Sequence, residues 1–389
     1  MNRYLASHVA NLPPSGIRKF FDLVATMEDV ISLGVGEPDF VTPWTVRESG
    51  IFSLEQGQTM YTSNAGLLEL REELSHHLIK SYGLCYDPSQ EILITAGASE
   101  AVDLVMRAVL EPGDVVLVPD PSYVSYGPCA ILAGASVRYV PTYAKEDFRL
   151  RVDDLNRVYT PKAKLLVLSY PNNPTGAIMR REDFIPISDF VAKHDLLVLA
   201  DDIYSDLTYN GKHVSFASLP GMRDRTLFVN GFSKAYAMTG WRIGYVAGHA
   251  DLIKGLMRIH QYTMLCAPIM GQLAALEALR SASQAKDDMV TAYDRRRRLI
   301  VHGFRQMGLD CFEPLGAFYV FPDIAKTNLS SEEFAEKLLK EEKVAVVPGT
   351  AFGPSGEGFI RCSYAYSIEQ LQEALKRITR FVERRLSRL

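Results

Sequence analysis

Lys234 is the residue best placed in this sequence to do covalent chemistry. It follows Ser233 within Thr226 to Gly248, TLFVNGFSKAYAMTGWRIGYVAG, where two apolar runs, LFV and YVAG, flank a loop that also carries Arg242. Brief apolar runs bounded by glycines read as buried strands, which sets the loop at a sheet edge. Ligands of α/β folds bind at such edges. An isolated lysine after a strand would be a solvated surface residue. The neighbours of this one are small or apolar, and burial favours the neutral amine that attacks a carbonyl, so a Schiff-base lysine is expected.

Other reactive side chains fall at the ends of further strand-like runs. Ile92 to Thr95 leads into Gly97-Ala98-Ser99-Glu100, a turn of small residues ahead of a helix over Ala101 to Leu110. Such a turn is either an ordinary capped βα connection, with Ser99 as cap, or a phosphate cradle built from free N–H groups and the helix dipole. Val115 to Pro119 leads to Tyr123, and Lys164 to Ser169 leads to Tyr170-Pro171-Asn172-Asn173-Pro174-Thr175-Gly176. The prolines and the glycine of that turn hold Asn173 rigidly. Leu196 to Ala200 closes on Asp201-Asp202-Ile203-Tyr204. An amine, a carboxylate, phenols, a phosphate-type turn and an arginine are what pyridoxal phosphate requires, since it joins an aldehyde, a pyridine and a phosphate in one molecule.

The elements that must position these groups follow an α/β pattern: strands separated by helical segments imply a mostly parallel sheet with right-handed crossovers and helices on its faces. Upstream, Ser15 to Met27 reads as a helix capped by Ser15, and Ile31 to Phe40 as a strand running into a loop. Gly34-Val35-Gly36 is no dinucleotide fingerprint, because Pro38 blocks the helix that should follow and the third glycine is missing. Gly36 remains a place where backbone can approach a ligand closely. Tyr61 stands in a polar loop before a helix over Leu67 to Tyr82. Downstream, a helix-rich stretch from Ala250 to about Gly308 precedes strands at Ala317 to Pro322, Val344 to Val347 and Phe359 to Tyr364, and helices at Ser331 to Glu342 and Ile368 to Leu389. The expected organisation is an N-terminal segment (1–45) that joins a small α+β domain (291–389), and a large cofactor-binding domain (46–290). Arg361 lies in a strand of the small domain and, facing a cleft, would bind a carboxylate bidentately.

Composition narrows the classes. With 389 residues, 47% hydrophobic and 23% charged, the chain is of ordinary globular type, and a net charge of −4 argues against nucleic-acid binding. The basic run Arg295 to Arg298 reads as a solvated helix face. Five scattered cysteines without a CxxC pair suit a reducing cytoplasm and offer no metal site. The uncharged window Gln261 to Leu276 is shorter than the ~20 residues of a membrane span and contains Pro268. A cytoplasmic protein with neither export signal nor membrane segment is expected.

The ordered set GVGEPDF (34–40), YTSNAGLLELR (61–71), GASE (97–100), YPNNPTG (170–176), DDIY (201–204), SKAYAMTGWRIG (233–244) and Arg361 resembles the class I aminotransferases of pyridoxal-phosphate fold type I, the aspartate- and aromatic-aminotransferase-like group. The resemblance runs over nearly the whole chain. It implies transfer of an amino group from an L-amino acid to a 2-oxoacid such as 2-oxoglutarate, by a ping-pong mechanism with Lys234 as Schiff-base and proton-shuttling residue. Asp201 would pair with the pyridinium nitrogen, a role given to it over Asp202 because it stands three residues before Tyr204. Asn173 and Tyr204 would hold the phenolic oxygen. Tyr123 would stack on the ring, where some relatives carry tryptophan or phenylalanine. Ala98, Ser99, Ser233 and Arg242 would bind the phosphate, joined by Tyr61 from the other subunit of a homodimer. Arg361, with Asn173 and the Gly36 backbone, would take the substrate α-carboxylate. No second cation is placed with certainty for a distal carboxylate, which leans toward broad or aromatic specificity with aspartate close behind. A C–S β-lyase on the same site and a non-catalytic ligand sensor are the competing readings.

Overall fold

The computed structural model describes residues 4–10, 12 and 27–387. The helix expected from Ser15 lies outside the described residues except for Met27, which is not helical. In chain order the strands are β1 (Ile31–Ser32), β2 (Ile92–Thr95), β3 (Val115–Asp120), β4 (Ser136–Pro141), β5 (Ala163–Leu168), β6 (Leu197–Asp201), β7 (Thr226–Gly231), β8 (Gly244–Ala247), β9 (Tyr319–Val320), β10 (Val344–Ala345), β11 (Val347–Pro348) and β12 (Ile360–Ser363).

Seven of them form one sheet in the order β2-β8-β7-β6-β5-β3-β4. Pairing is parallel from β7 to β4 and antiparallel on both sides of β8, so only β8 runs against the rest. The reversal has a local cause. Parallel neighbours need a crossover of a dozen or more residues, usually helical, whereas the chain after β7 forms only a short 3₁₀ turn at Thr239–Trp241 before entering β8. Because of it, the start of β8 lies at the same sheet edge as the ends of β2, β3, β5, β6 and β7. Every position of β2, β3, β7 and β8 is buried, as expected for strands covered on both faces. The edge strand β4 escapes a search for apolar runs because its exposed Arg138 and Tyr139 face solvent.

Helices cover the sheet. Ala98–Val109 buries Ala101, Val102, Val105, Met106 and Val109, a stripe at helical spacing. It begins three residues before the position expected from sequence: Gly97, at φ 84°, is the cap, and Ser99 sits inside the first turn rather than capping it. The helix-rich stretch resolves into Ala250–Thr263, Ile269–Ser281 and Ser283–Gln306, the first break falling just before Pro268.

A second group of strands packs beyond the edge. β1 pairs in parallel with β10, Ile31 opposite Val344, so the N-terminal segment joins C-terminal elements. β11, β12 and β9 form an antiparallel three-stranded sheet with Arg361 opposite Val347. The strands around 319 and 344 are shorter than sequence suggests, since Ala317 adopts φ 57° and Val346 interrupts β10 and β11. Phe304, Phe318, Phe334 and Phe381 fill the core beneath them. The helices at Ser331–Glu342 and Ile368–Leu386 both start with capping boxes, Ser330 with Glu333 and Ser367 with Gln370.

One close approach ties β8 to the turn after β2. A Cβ on Gly244 would lie 2.3 Å from the Ala98 backbone nitrogen and 2.5 Å from the Gly97 carbonyl carbon. Gly244→Ala therefore forces two backbones apart and should destabilise the protein by roughly 2–3 kcal/mol, read as a lower urea midpoint; an unchanged midpoint would show that the contact yields freely.

Candidate active site

The strand ends converge on a cavity of about 390 Å³. Its walls include Gly36, Ala98, Ser99, Tyr123, Asn173, Asp201, Tyr204, Ser233, Lys234, Arg242 and Arg361, so eleven of the twelve residues expected from sequence meet there. Tyr61 does not line the cavity of its own chain and is 82% exposed.

Lys234 Nζ donates to the Gly36 carbonyl at 2.8 Å and lies 5.9 Å from the ring centroids of both Tyr204 and Phe318. Burial lowers its pKa to about 8; Arg361 and Arg242 push the same way, against Glu37 and Asp201. A free amine is thus accessible near neutral pH.

Across the cavity, Asp201 ends β6, accepts a hydrogen bond from Tyr126 Oη at 2.7 Å and one from the Ile203 amide at 3.3 Å. Burial raises its pKa to about 6, and the neighbouring Asp202 adds to the rise. A carboxylate in this state gains from any cation brought opposite it.

Arg242 adopts left-handed backbone geometry, φ 56°, and turns its guanidinium onto the Gly97 backbone. A Cβ at Gly97 would sit 2.4 Å from Arg242 Nη2, which explains the glycine. The N-terminus of Ala98–Val109, with its unpaired amide donors, and this guanidinium form an anion cradle. Glu100 fixes the turn from behind: its carboxylate accepts from the Ala96 amide at 2.5 Å and lies 2.6 Å from Nδ1 of the fully buried His260.

Arg361 is 2% exposed. Nη1 donates to Asn173 Oδ1 at 2.8 Å and Nη2 to the Gly34 carbonyl at 2.5 Å. Tyr319 and Phe352 sandwich it, their ring centroids 4.4 and 4.7 Å from Cζ. Among the described residues its Nε has no partner, although a buried charged donor needs one.

The family profile described as aminotransferase class I and II matches residues 28–378. The chain belongs to this family. YugH of Bacillus subtilis, provisionally named as an aminotransferase, is 52% identical over 384 residues, 99% of this chain and 100% of that protein. The aspartate aminotransferase of Pyrococcus abyssi is 46% identical, with 94% and 95% covered. The solved structure of an aromatic aminotransferase from Pyrococcus horikoshii superposes with a TM-score of 0.91 at 45% identity, covering 95% of this chain and 99% of that one. The protein is a pyridoxal-phosphate-dependent transaminase of fold type I.

The residues of the aminotransferase cavity fit that cofactor. An anion cradle suited to its phosphate, a buried carboxylate suited to its ring nitrogen and a half-buried amine suited to its aldehyde all line one space. Sequence reasoning passed over Tyr126, the donor to Asp201, and Tyr319, which touches both Tyr204 and Arg361. Tyr126 opens the helix Tyr126–Leu132 and Tyr123 lies in the loop just before it, with their ring centroids 5.6 Å apart. Nothing in the local sequence marks Tyr319, because its contacts span more than 40 residues.

The Asp201 shift has a consequence for stability. Its folded pKa is raised, so the penalty of the buried charge is absent below about pH 4 and fully present above about pH 6. In the cofactor-free enzyme, Asp201→Asn should therefore be stabilising by about 2 kcal/mol at pH 7, after allowance for one mismatched hydrogen bond, with the gain vanishing toward pH 4. Denaturant titrations at both pH values check this; an equal effect at both would mean that the charge is not the cause.

Proposed function

We propose that Lys234 is the residue on which transamination turns, and that the enzyme alternates amino acid and oxoacid in one cavity by a ping-pong cycle. The observation that carries this reading is that the Lys234 amine, driven toward its neutral form, shares one cavity with the Asp201 carboxylate and the Arg361 guanidinium. Bound pyridoxal phosphate supplies an aldehyde and an electron-withdrawing pyridine. Lys234 Nζ would hold the aldehyde end of the group and, with a substrate amine in its place, would act as the base that takes the substrate Cα proton and as the acid that gives it back to complete the transfer. Asp201 keeps the ring nitrogen protonated, helped by the Tyr126 hydroxyl. Asn173 and Tyr204 donate to the phenolic oxygen, and Tyr123 covers the ring face. Ala98, Ser99, Ser233 and Arg242 hold the phosphate. Arg361 lines the cavity and keeps N–H bonds on Nη1 and Nη2 beyond those given to Asn173 and Gly34, which would take the α-carboxylate beside Asn173 and the Gly36 backbone.

Both aspartate and aromatic specificities occur among the relatives named above, at similar identity. Among the described residues the cations lining the cavity are Lys234, Arg242 and Arg361, all engaged by the roles just given. We therefore favour donors with aromatic or apolar side chains, aspartate following, and an oxoacid such as 2-oxoglutarate as acceptor. A working unit of two copies is supported by the exposed apolar residues Phe52, Met60, Tyr61 and Tyr262. The Asn64 side chain donates to the Leu265 carbonyl, which brings the loop of Tyr61 beside the end of Ala250–Thr263. Apolar area of this kind marks an interface, and Tyr61 would complete the phosphate site of the other copy. The division into a large unit (46–290) and a small one (1–45 with 291–389) is supported by the β1–β10 pairing, and a cytoplasmic setting by five unpaired cysteines.

Lys234→Ala should lose at least about 10⁴-fold in turnover and the visible absorbance shift on adding amino acid; retained turnover would remove Lys234 from the chemistry. Arg361→Ala should raise KM by about 100-fold for every amino acid tried, and an unchanged KM would relocate the carboxylate site. In sedimentation the protein should run as a dimer, with Tyr61→Phe holding the cofactor several-fold more weakly; a monomer of full activity would refute the shared site.

A further inference from the structure

Tyr319 joins the two halves of the site. Its hydroxyl lies 2.7 Å from Tyr204 Oη. Its ring lies against the Arg361 guanidinium, centroid to Cζ 4.4 Å. The Gly36 backbone passes so close that a Cβ there would be 2.3 Å from Tyr319 Oη, and the Gly36 carbonyl accepts from Lys234. The residue is 1% exposed and lies in β9, directly beside the strand that carries Arg361.

We propose that Tyr319 is a positioning residue: its O–H donates to Tyr204 Oη, making Tyr204 the stronger donor toward the cofactor's phenolic oxygen, while its ring braces Arg361 for the substrate carboxylate. The inference rests on the roles of Tyr204 and Arg361 given under Proposed function. Its logic is proton counting. A phenol carries one proton, so if Tyr204 directs its own at the cofactor, the 2.7 Å contact is closed by the proton of Tyr319. Successive hydrogen bonds polarise one another, so the second hydroxyl strengthens the first. Burial raises the pKa of Tyr319, while the positive charge of Arg361 and the hydrogen bond with Tyr204 oppose that rise. The same ring thereby links carboxylate binding at Arg361 to the proton held at Lys234.

The test uses the cofactor-loaded enzyme and the pH midpoint of its visible absorbance change. Tyr319→Phe keeps the ring and removes only the hydroxyl. A weaker Tyr204 donor leaves more negative charge on the phenolic oxygen, which holds the proton on the adjoining lysine nitrogen more tightly, so the midpoint should rise by about 0.3 pH unit. Tyr204→Phe should raise it further, and the double variant no further than Tyr204→Phe alone. The KM for amino acids should stay unchanged in Tyr319→Phe and rise about 10-fold in Tyr319→Leu, which loses the ring face. If Tyr319→Phe leaves the midpoint in place while Tyr204→Phe moves it, the relay is overturned and the site reading stands. Additive shifts in the double variant would also overturn it. An unmoved midpoint in Tyr204→Phe defeats the Tyr204 assignment and this proposal together, and an unmoved KM in Tyr319→Leu defeats the brace.

Discussion

Gathering the half-buried Lys234 with the buried Asp201 carboxylate and Arg361 guanidinium around one cavity places three ionisable groups where water cannot solvate them fully. Each must then find compensation within the protein or from a ligand. Lys234 rests on the Gly36 carbonyl and shifts toward its neutral form. Asp201 takes the Tyr126 hydroxyl and shifts toward its protonated form. Arg361 is given two acceptors and two aromatic faces, which leaves three of its five N–H bonds, that of Nε included, without an acceptor. The site is thus poised: two groups have their pKa values drawn toward neutrality and a third keeps unused donors, and all three residues line the space that cofactor and substrate would fill.

The sheet makes this arrangement possible. Six strands end and one begins along a single edge, so residues from Gly97 to Arg242 meet although nearly 150 residues separate them in sequence. Two backbone details hold the phosphate side in register. Gly97 admits the Arg242 guanidinium, and Gly244 admits the Gly97–Ala98 backbone; either Cβ would open the cradle. The carboxylate side comes from a different layer, in which β12 sets Arg361 against Tyr319 of β9 and the Gly34 carbonyl of the N-terminal segment.

Much of this was legible in the sequence. The loop of Lys234, the GASE turn, the YPNNPTG turn and the DDIY quartet each follow an apolar run that is a strand, and local composition suffices to say so. Where the reading slipped, solvent or geometry was responsible. β4 carries no continuous apolar run because it is an edge strand, and of the two roles open to Ser99 the cap falls instead to Gly97, because a glycine with positive φ takes that position equally well.

By itself, the sequence determined which chemical groups are available and at which strand ends they stand, because strand and turn signals are local. It also carried the ordered motifs by which the family is recognised. Only the tertiary structure decided the direction of β8, the beginning of the Ala98–Val109 helix, and the pairing of Tyr126 with Asp201 and of Tyr319 with Tyr204 and Arg361. Those outcomes depend on which side chains burial forces together across distant segments. The hydrogen bonds and pKa shifts that make the site reactive are properties of that enclosure, not of any one stretch of chain.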